Sequence, residues 1–201
     1  MAEKISIEIF RKKEPIELTK ALADPESRTN IGSGTAMSAS IAMSFLERAA
    51  SLTEDREENR ERLDYIRRNS ETLRTYMVHL IDEDVKSRGP LRKAIKEGDP
   101  RVIEAARQPA AAVAAEIVAM MCKGLELMDE LGDYCGEEAK SFLAASADLA
   151  VGAMKASVRY LVYMGSLCSD ETYRYITRRE NEITLEEYLP VYERVLKKAE
   201  I

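Results

Sequence analysis

The chain has 201 residues, enough for one domain with a sizeable core. Its 36 acidic and 30 basic residues leave a net charge of −6, which argues against nucleic acid as the main partner. No apolar run reaches the roughly 18 residues that span a bilayer, and Met1-Ala2-Glu3-Lys4 lacks the basic-then-apolar pattern of a signal peptide, so the expectation is a cytoplasmic protein with no membrane partner.

Residues 1–30 read as a lead-in segment, with Pro15 starting a short helix through Ala23 and Pro25 stopping it. A helix then spans about 34–52, with Ile41, Phe45, Leu46 and Ala49 at helical spacing. Thr53-Glu54-Asp55 restarts the chain, and a long helix runs to about residue 86. Its early charge run reads as a solvated face, and its core stripe is Ile66, Leu73, Met77, Leu80 and Ile81. Gly89-Pro90 ends it. A short helix covers about 91–96. Asp99-Pro100 caps the next one, which extends to about 131 and is kinked or split in two by Pro109. Another spans about 137–167. Asp170 opens a short helix, and Thr184-Leu185-Glu186-Glu187 reads as the cap of a separate last helix ending near Ala199. No strand-like alternation or internal repeat stands out, so the fold class is an all-α bundle of long antiparallel helices in a single domain over 1–201. Cys122, Cys135 and Cys168 are odd in number and far apart, and read as three free, packed thiols in a reducing compartment.

The most informative stretch is Asn30-Ile31-Gly32-Ser33-Gly34-Thr35, a glycine-bearing turn opening a helix of small side chains. The unpaired N–H groups of such a helix start can hold an anion or a polar ligand edge. The same residues also suit a capped N-terminus or a close helix–helix contact, and both readings stand.

Two further groups can carry chemistry. Asp84 lies 3, 4, 7, 11 and 18 residues after Ile81, Leu80, Met77, Leu73 and Ile66, so it extends the apolar stripe. A carboxylate there is desolvated and its pKa rises, as a general acid or base requires, unless the helix is already leaving the core. Ser141, Asp148, Gly152, Lys155 and Arg159 share one helical face. That face either binds a carboxylate-bearing ligand, with Arg159 as a two-pronged contact, or is a solvated face with internal ion pairs. His79 is the single histidine, so sites built on several histidines are excluded; His79 and Glu83, four apart, are two ligands without a third. Gly32-Ser33-Gly34 lacks the Lys-Ser/Thr of a phosphate-binding loop. The Tyr173-Arg174-Tyr175 cluster near Arg178 and Arg179 reads as packing or an interface.

The order of a glycine-rich turn, a long helix ending in Leu80-Ile81-Asp82-Glu83-Asp84, a proline after Glu104-Ala105-Ala106-Arg107-Gln108, and Ser169-Asp170-Glu171-Thr172-Tyr173 resembles the formiminotetrahydrofolate cyclodeaminase and methenyltetrahydrofolate cyclohydrolase family over about residues 30–200. The resemblance implies a helical bundle, usually a homodimer, that forms or opens a methenyl bridge on a tetrahydrofolate derivative, with no metal or organic cofactor. By carry-over, Asp84 is the proton-transfer group, Asp148 and Lys155 orient or polarise the substrate, and Arg159 binds its acidic tail. Ser141 lies beside it, and Gly32, Ser33, Gly34 and Thr35 pack against the ligand. Ser33 stands where the family has a middle glycine, and Phe142 where the family has an aspartate; Tyr160-Leu161-Val162-Tyr163-Met164 replaces an asparagine-containing stretch. Those departures leave open a non-catalytic dimeric assembly module, or an enzyme of the same fold acting on another substrate.

Overall fold

A computed structural model describes residues 9–200. After a 3₁₀ turn (Phe10–Lys12), the described chain forms α1 (Pro15–Ala23), α2 (Ile31–Leu52), α3 (Arg60–Ser87), α4 (Gly89–Glu97), α5 (Pro100–Ala110), α6 (Ala112–Leu131), α7 (Glu137–Ser166) and α8 (Glu171–Lys198). No strand occurs among the described residues, as the all-α expectation requires. The first eight residues of the lead-in segment lie outside them.

The small residues of α2 explain its place. α2 packs most extensively against α3 and α7, and it buries Ala36, Ala39, Ala42, Met43, Leu46, Ala49 and Ala50. Short side chains let two helices approach it at once, and a buried hydroxyl secures the contact: Ser146 of α7 donates to the Ala42 carbonyl at 2.7 Å. α6 approaches as closely from another side, where a β-carbon on Gly124 would lie 2.8 Å from Cε of Met43. α6 and α8 complete the bundle around one core.

Pro109 splits its helix. Lacking an N–H, and with its ring against the carbonyl four residues back, it ends α5; the Ala111 N–H turns to the Gln108 carbonyl before α6 starts. The Asp99 cap is present, accepting from the Arg101 N–H at 2.9 Å. Gly98, at φ 78°, closes α4 in the left-handed region that glycine tolerates.

One boundary is corrected. The chain after Asp170 forms one helix, α8, rather than two. Asp170 does cap it, accepting from the Thr172 and Tyr173 N–H groups. Thr184, however, gives its hydroxyl to the Glu180 carbonyl four residues back at 2.9 Å, which leaves the helical ladder intact. Leu185, Tyr188, Leu189, Tyr192 and Leu196 then pack on the core at helical spacing, and this carries the helix through Pro190.

Candidate functional site

α3 ends beside the start of α2, and Asp84, in the last turn of α3, is 1% exposed. The periodic stripe places it on the core side, and Ser33 meets it there. Oδ2 of Asp84 accepts from the Ser33 N–H at 2.9 Å and from the Ser33 hydroxyl at 2.7 Å. The unpaired N–H at the start of α2 therefore does hold an anion, and the anion is the chain's own carboxylate. Gly32 makes room for it: a β-carbon there would lie 2.6 Å from Cγ of Asp84 and closer still to Oδ1. Oδ1 is buried and has no hydrogen-bond partner.

Burial raises the pKa of Asp84 above the ordinary carboxylate value. The Ser33 hydroxyl, the charges of Arg88 and Arg92 and the Ser33 N–H pull the other way without winning. The bonding suits both protonation states. Ser33 Oγ also lies 3.2 Å from the Ile81 carbonyl. With Asp84 ionised, the hydroxyl donates to Oδ2; with Oδ2 protonated, Asp84 can donate to Oγ while the Ser33 hydrogen turns to Ile81. A proton can be held or released here without stranding the hydroxyl.

A cleft of about 930 Å³ is walled by the 25–30 loop, the end of α3 and one face of α4; Asp84 and Ser33 do not line it themselves, but Val85 and Arg88, one and four residues after Asp84, do. It was not foreseen from sequence. The available signal was the basic run Lys86, Arg88, Arg92, Lys93, Lys96, in which Arg88 and Arg92 follow Asp84 at steps of four. Asn30, the N-cap of α2, also lines the cleft. Its side-chain amide donates to the Tyr160 hydroxyl at 3.3 Å. Tyr160 is 4% exposed, and burial raises its pKa. Through the bond to Asn30, α7 contacts the rim of the cleft.

The predicted α7 face lies elsewhere. Ser141, Asp148, Gly152 and Arg159 are exposed and Lys155 is half-buried. Asp148 accepts from the Tyr192 hydroxyl of α8 at 2.6 Å, and among the described residues none of the five bonds to Asp84 or Ser33. Nor does Asp148 pair with Lys155 or Arg159 there, so this is a solvated face without the expected internal ion pairs. At 1.5 Å per residue, Asp148 sits about 18 Å along α7 from Tyr160. Gly34 is half-buried, with Leu22 at van der Waals distance from where its β-carbon would be. Thr35 is buried and gives its hydroxyl to the Ile31 and Gly32 carbonyls. Phe142 stacks edge-on against Phe45, with Arg48 over its ring.

His79 and Glu83 do not form a pair. His79 Nδ1 accepts from Arg11 at 2.6 Å, since a guanidinium only donates, and Glu83 pairs with Lys86. Arg11 in turn holds Asp82, which is 4% exposed, so this cluster ties the 3₁₀ turn to α3. No group of three metal-ligating side chains occurs among the described residues, and none of their helices is long and apolar enough to cross a membrane.

These features define a class: an α-helical bundle with a buried, proton-competent carboxylate beside a basic cleft. A family model for formiminotransferase-cyclodeaminase matches residues 16–182, and the chain belongs to that family. Among solved structures it is similar to formiminotetrahydrofolate cyclodeaminase from Thermotoga maritima, at 19% identity over 94% of this chain and 96% of that one, with a TM-score of 0.86. A search of curated proteins finds no match.

Proposed function

We propose that the protein acts on a one-carbon adduct of tetrahydrofolate, forming or opening the methenyl bridge in the manner of a cyclodeaminase (lyase) or methenyltetrahydrofolate cyclohydrolase (hydrolase). The observation that carries this reading is Asp84: a desolvated carboxylate fixed by Ser33, with one oxygen free of partners, beside a cleft large enough for a ligand. In cyclodeamination, N10 of a formimino-folate whose formimino group is protonated (N5–CH=NH2+) attacks the formimino carbon, the N10 proton is passed to the former imino nitrogen, and the C–N bond to that nitrogen breaks to release ammonia and leave the cationic methenyl bridge. Asp84 serves as the shuttle, accepting the first proton and returning it to the leaving nitrogen, so it finishes in its starting state. In the hydrolytic direction it accepts a proton from the attacking water.

Membership of the family supports a homodimeric, cytoplasmic protein that needs no cofactor. The exposed α7 residues Ser141, Asp148 and Arg159, with the half-buried Lys155, belong to this proposal only as groups that meet a ligand from the solvent side of α7, in a site shared with a second copy. A non-catalytic assembly module is the second reading, favoured by the packing of Phe142 against Phe45 and Arg48 where the family has an aspartate.

Calorimetry with tetrahydrofolate and methenyltetrahydrofolate, followed by a turnover assay, separates the two. Binding in the micromolar range, with turnover lost in Asp84→Asn and the fold retained, is the expected result. Full activity of Asp84→Asn removes Asp84 from the chemistry. An absence of binding at high ligand concentration ends the folate reading. Arg159→Ala weakens binding only if the α7 face takes part.

A further inference from the structure

In a chain of net charge −6, six cations face one cleft: Arg28, Lys86, Arg88, Arg92, Lys93 and Lys96, against the single acid Glu26. Two of the six are occupied, Lys86 by Glu83 at 2.6 Å and Lys93 by Glu97 at 3.8 Å. Among the described residues, Arg28, Arg88, Arg92 and Lys96 form no ion pair. Nε of Arg88 is buried and has no hydrogen-bond acceptor at all. Two helices also begin at this cleft. Asn30 precedes α2 and Arg88 precedes α4, and neither of these residues caps its helix with its side chain; Asp84 already takes the Ser33 N–H in the first turn of α2, whereas among the described residues the start of α4 has no acidic side chain bonded to it. Like charges crowd as well: burial together with the charges of Arg88 and Arg28 pulls the Arg92 guanidinium below its usual value, and the nearby charge of Asp84 offsets this only in part.

Such an arrangement is unfavourable when empty and is relieved by negative charge. We propose that the cleft is a binding site for a small anion bearing two or more negative charges, carboxylate or phosphate, held by Arg28, Arg88 and Arg92 beside the start of α4. Guanidinium forks suit planar carboxylates and phosphate oxygens, and the converging cations favour a polyvalent anion over chloride. This goes beyond the folate reading and stands without it. The anion has two sources, the acidic end of the substrate itself or a free polyvalent anion, and the site lies next to Asp84 in either case.

The test is calorimetry and thermal melting of the full chain at low ionic strength, with citrate and pyrophosphate as probes and chloride as control. Both probes are expected to bind and to raise Tm, with affinity falling as salt is added. Arg92→Ala and Arg28→Ala should each weaken binding by roughly tenfold, the loss of one charge-assisted contact. Arg28 is exposed and makes no hydrogen bond among the described residues, so its removal leaves the fold undisturbed. Lys197→Ala, on the exposed side of α8, should change nothing. No heat and no rise in Tm with either probe, or an equal loss in the Lys197 variant, overturns the proposal. Methenyltetrahydrofolate titrated into citrate-saturated protein then assigns the source. Competition identifies the substrate's own acidic end. Independent binding identifies a separate anion, and citrate binding without any folate binding leaves the site standing while the folate reading fails.

Discussion

Ser33 gives both its backbone N–H and its hydroxyl to one oxygen of Asp84, a residue 51 positions further along the chain. The contact joins the first turn of α2 to the last turn of α3 and turns a helix start into the holder of a buried acid. It also gives a physical reason for a serine between Gly32 and Gly34: a third glycine would supply the N–H but not the hydroxyl.

Ser33→Ala tests that reason. The variant keeps the N–H bond and removes the hydroxyl, one of the groups that oppose the upward shift of Asp84. The pKa of Asp84 should therefore rise further, and the acid limb of any pH–rate profile should move to higher pH. Stability should fall by about 1–3 kcal/mol, the usual result of weakening the satisfaction of a buried polar group. A profile that does not move separates Asp84 from the rate.

The two glycines Gly32 and Gly152 should respond in opposite senses to alanine. At Gly32 the new methyl would occupy the space of the Asp84 carboxylate, so the acid must swing away from Ser33. A loss of about 1–3 kcal/mol from overpacking is expected, together with loss of any turnover that depends on Asp84. At Gly152 nothing lies within 4 Å of the added carbon, and the position is exposed in the middle of α7. There alanine should stabilise by up to about 1 kcal/mol through helix propensity. Denaturant titration of both variants checks the pair, and a stabilised Gly32→Ala contradicts the packing at Asp84.

Asp84 was legible in the sequence because its spacing from Ile81, Leu80, Met77, Leu73 and Ile66 needs only local periodicity. Its partner was not, because nothing local joins Ser33 to a residue on another helix; the glycine-rich turn announced an anion site without saying which anion. The face chosen on α7 failed for a related reason. That helix buries serines and alanines such as Ala139, Ser146, Ala147 and Ser157 alongside its larger residues, so polarity does not mark its wet side, and the residue that reaches the site is the buried Tyr160. At Thr184 the cap signature was present, but a threonine hydroxyl can bond forward to an N–H or back to a carbonyl, and only packing of the following turns decides. The basic cleft assembles three separate segments, and of these only the α3–α4 run of cations is visible in the chain.

The raised pKa of Asp84 also has a consequence for stability. A carboxyl that binds its proton more tightly in the folded state contributes stability that is fully present below its unfolded value of about 3.8 and is lost as pH climbs through the folded value. Asp84→Asn removes that titration. Measured by chemical denaturation from about pH 4 to pH 7, the variant should gain on the native protein as pH rises, at about 1.4 kcal/mol for each unit by which the folded pKa is raised. A difference that stays flat with pH shows that the carboxyl is not perturbed.

Tyr160→Phe addresses the hydrogen bond that links α7 to the cleft-lining Asn30. The phenol oxygen accepts from the Asn30 amide, and its own hydrogen has no acceptor among the described residues. Removing the oxygen leaves the Asn30 amide unpaired at the start of α2, in a partly buried position. Stability should drop by about 1 kcal/mol, since the aromatic ring and its packing are kept. If the free phenol hydrogen serves a bound ligand, Tyr160→Phe should also raise KM for the folate derivative more than Asn30→Ala does, because Asn30→Ala retains the donor and only loosens its orientation. Equal effects of the two substitutions on stability and KM would mean that Tyr160 supports Asn30 and nothing else.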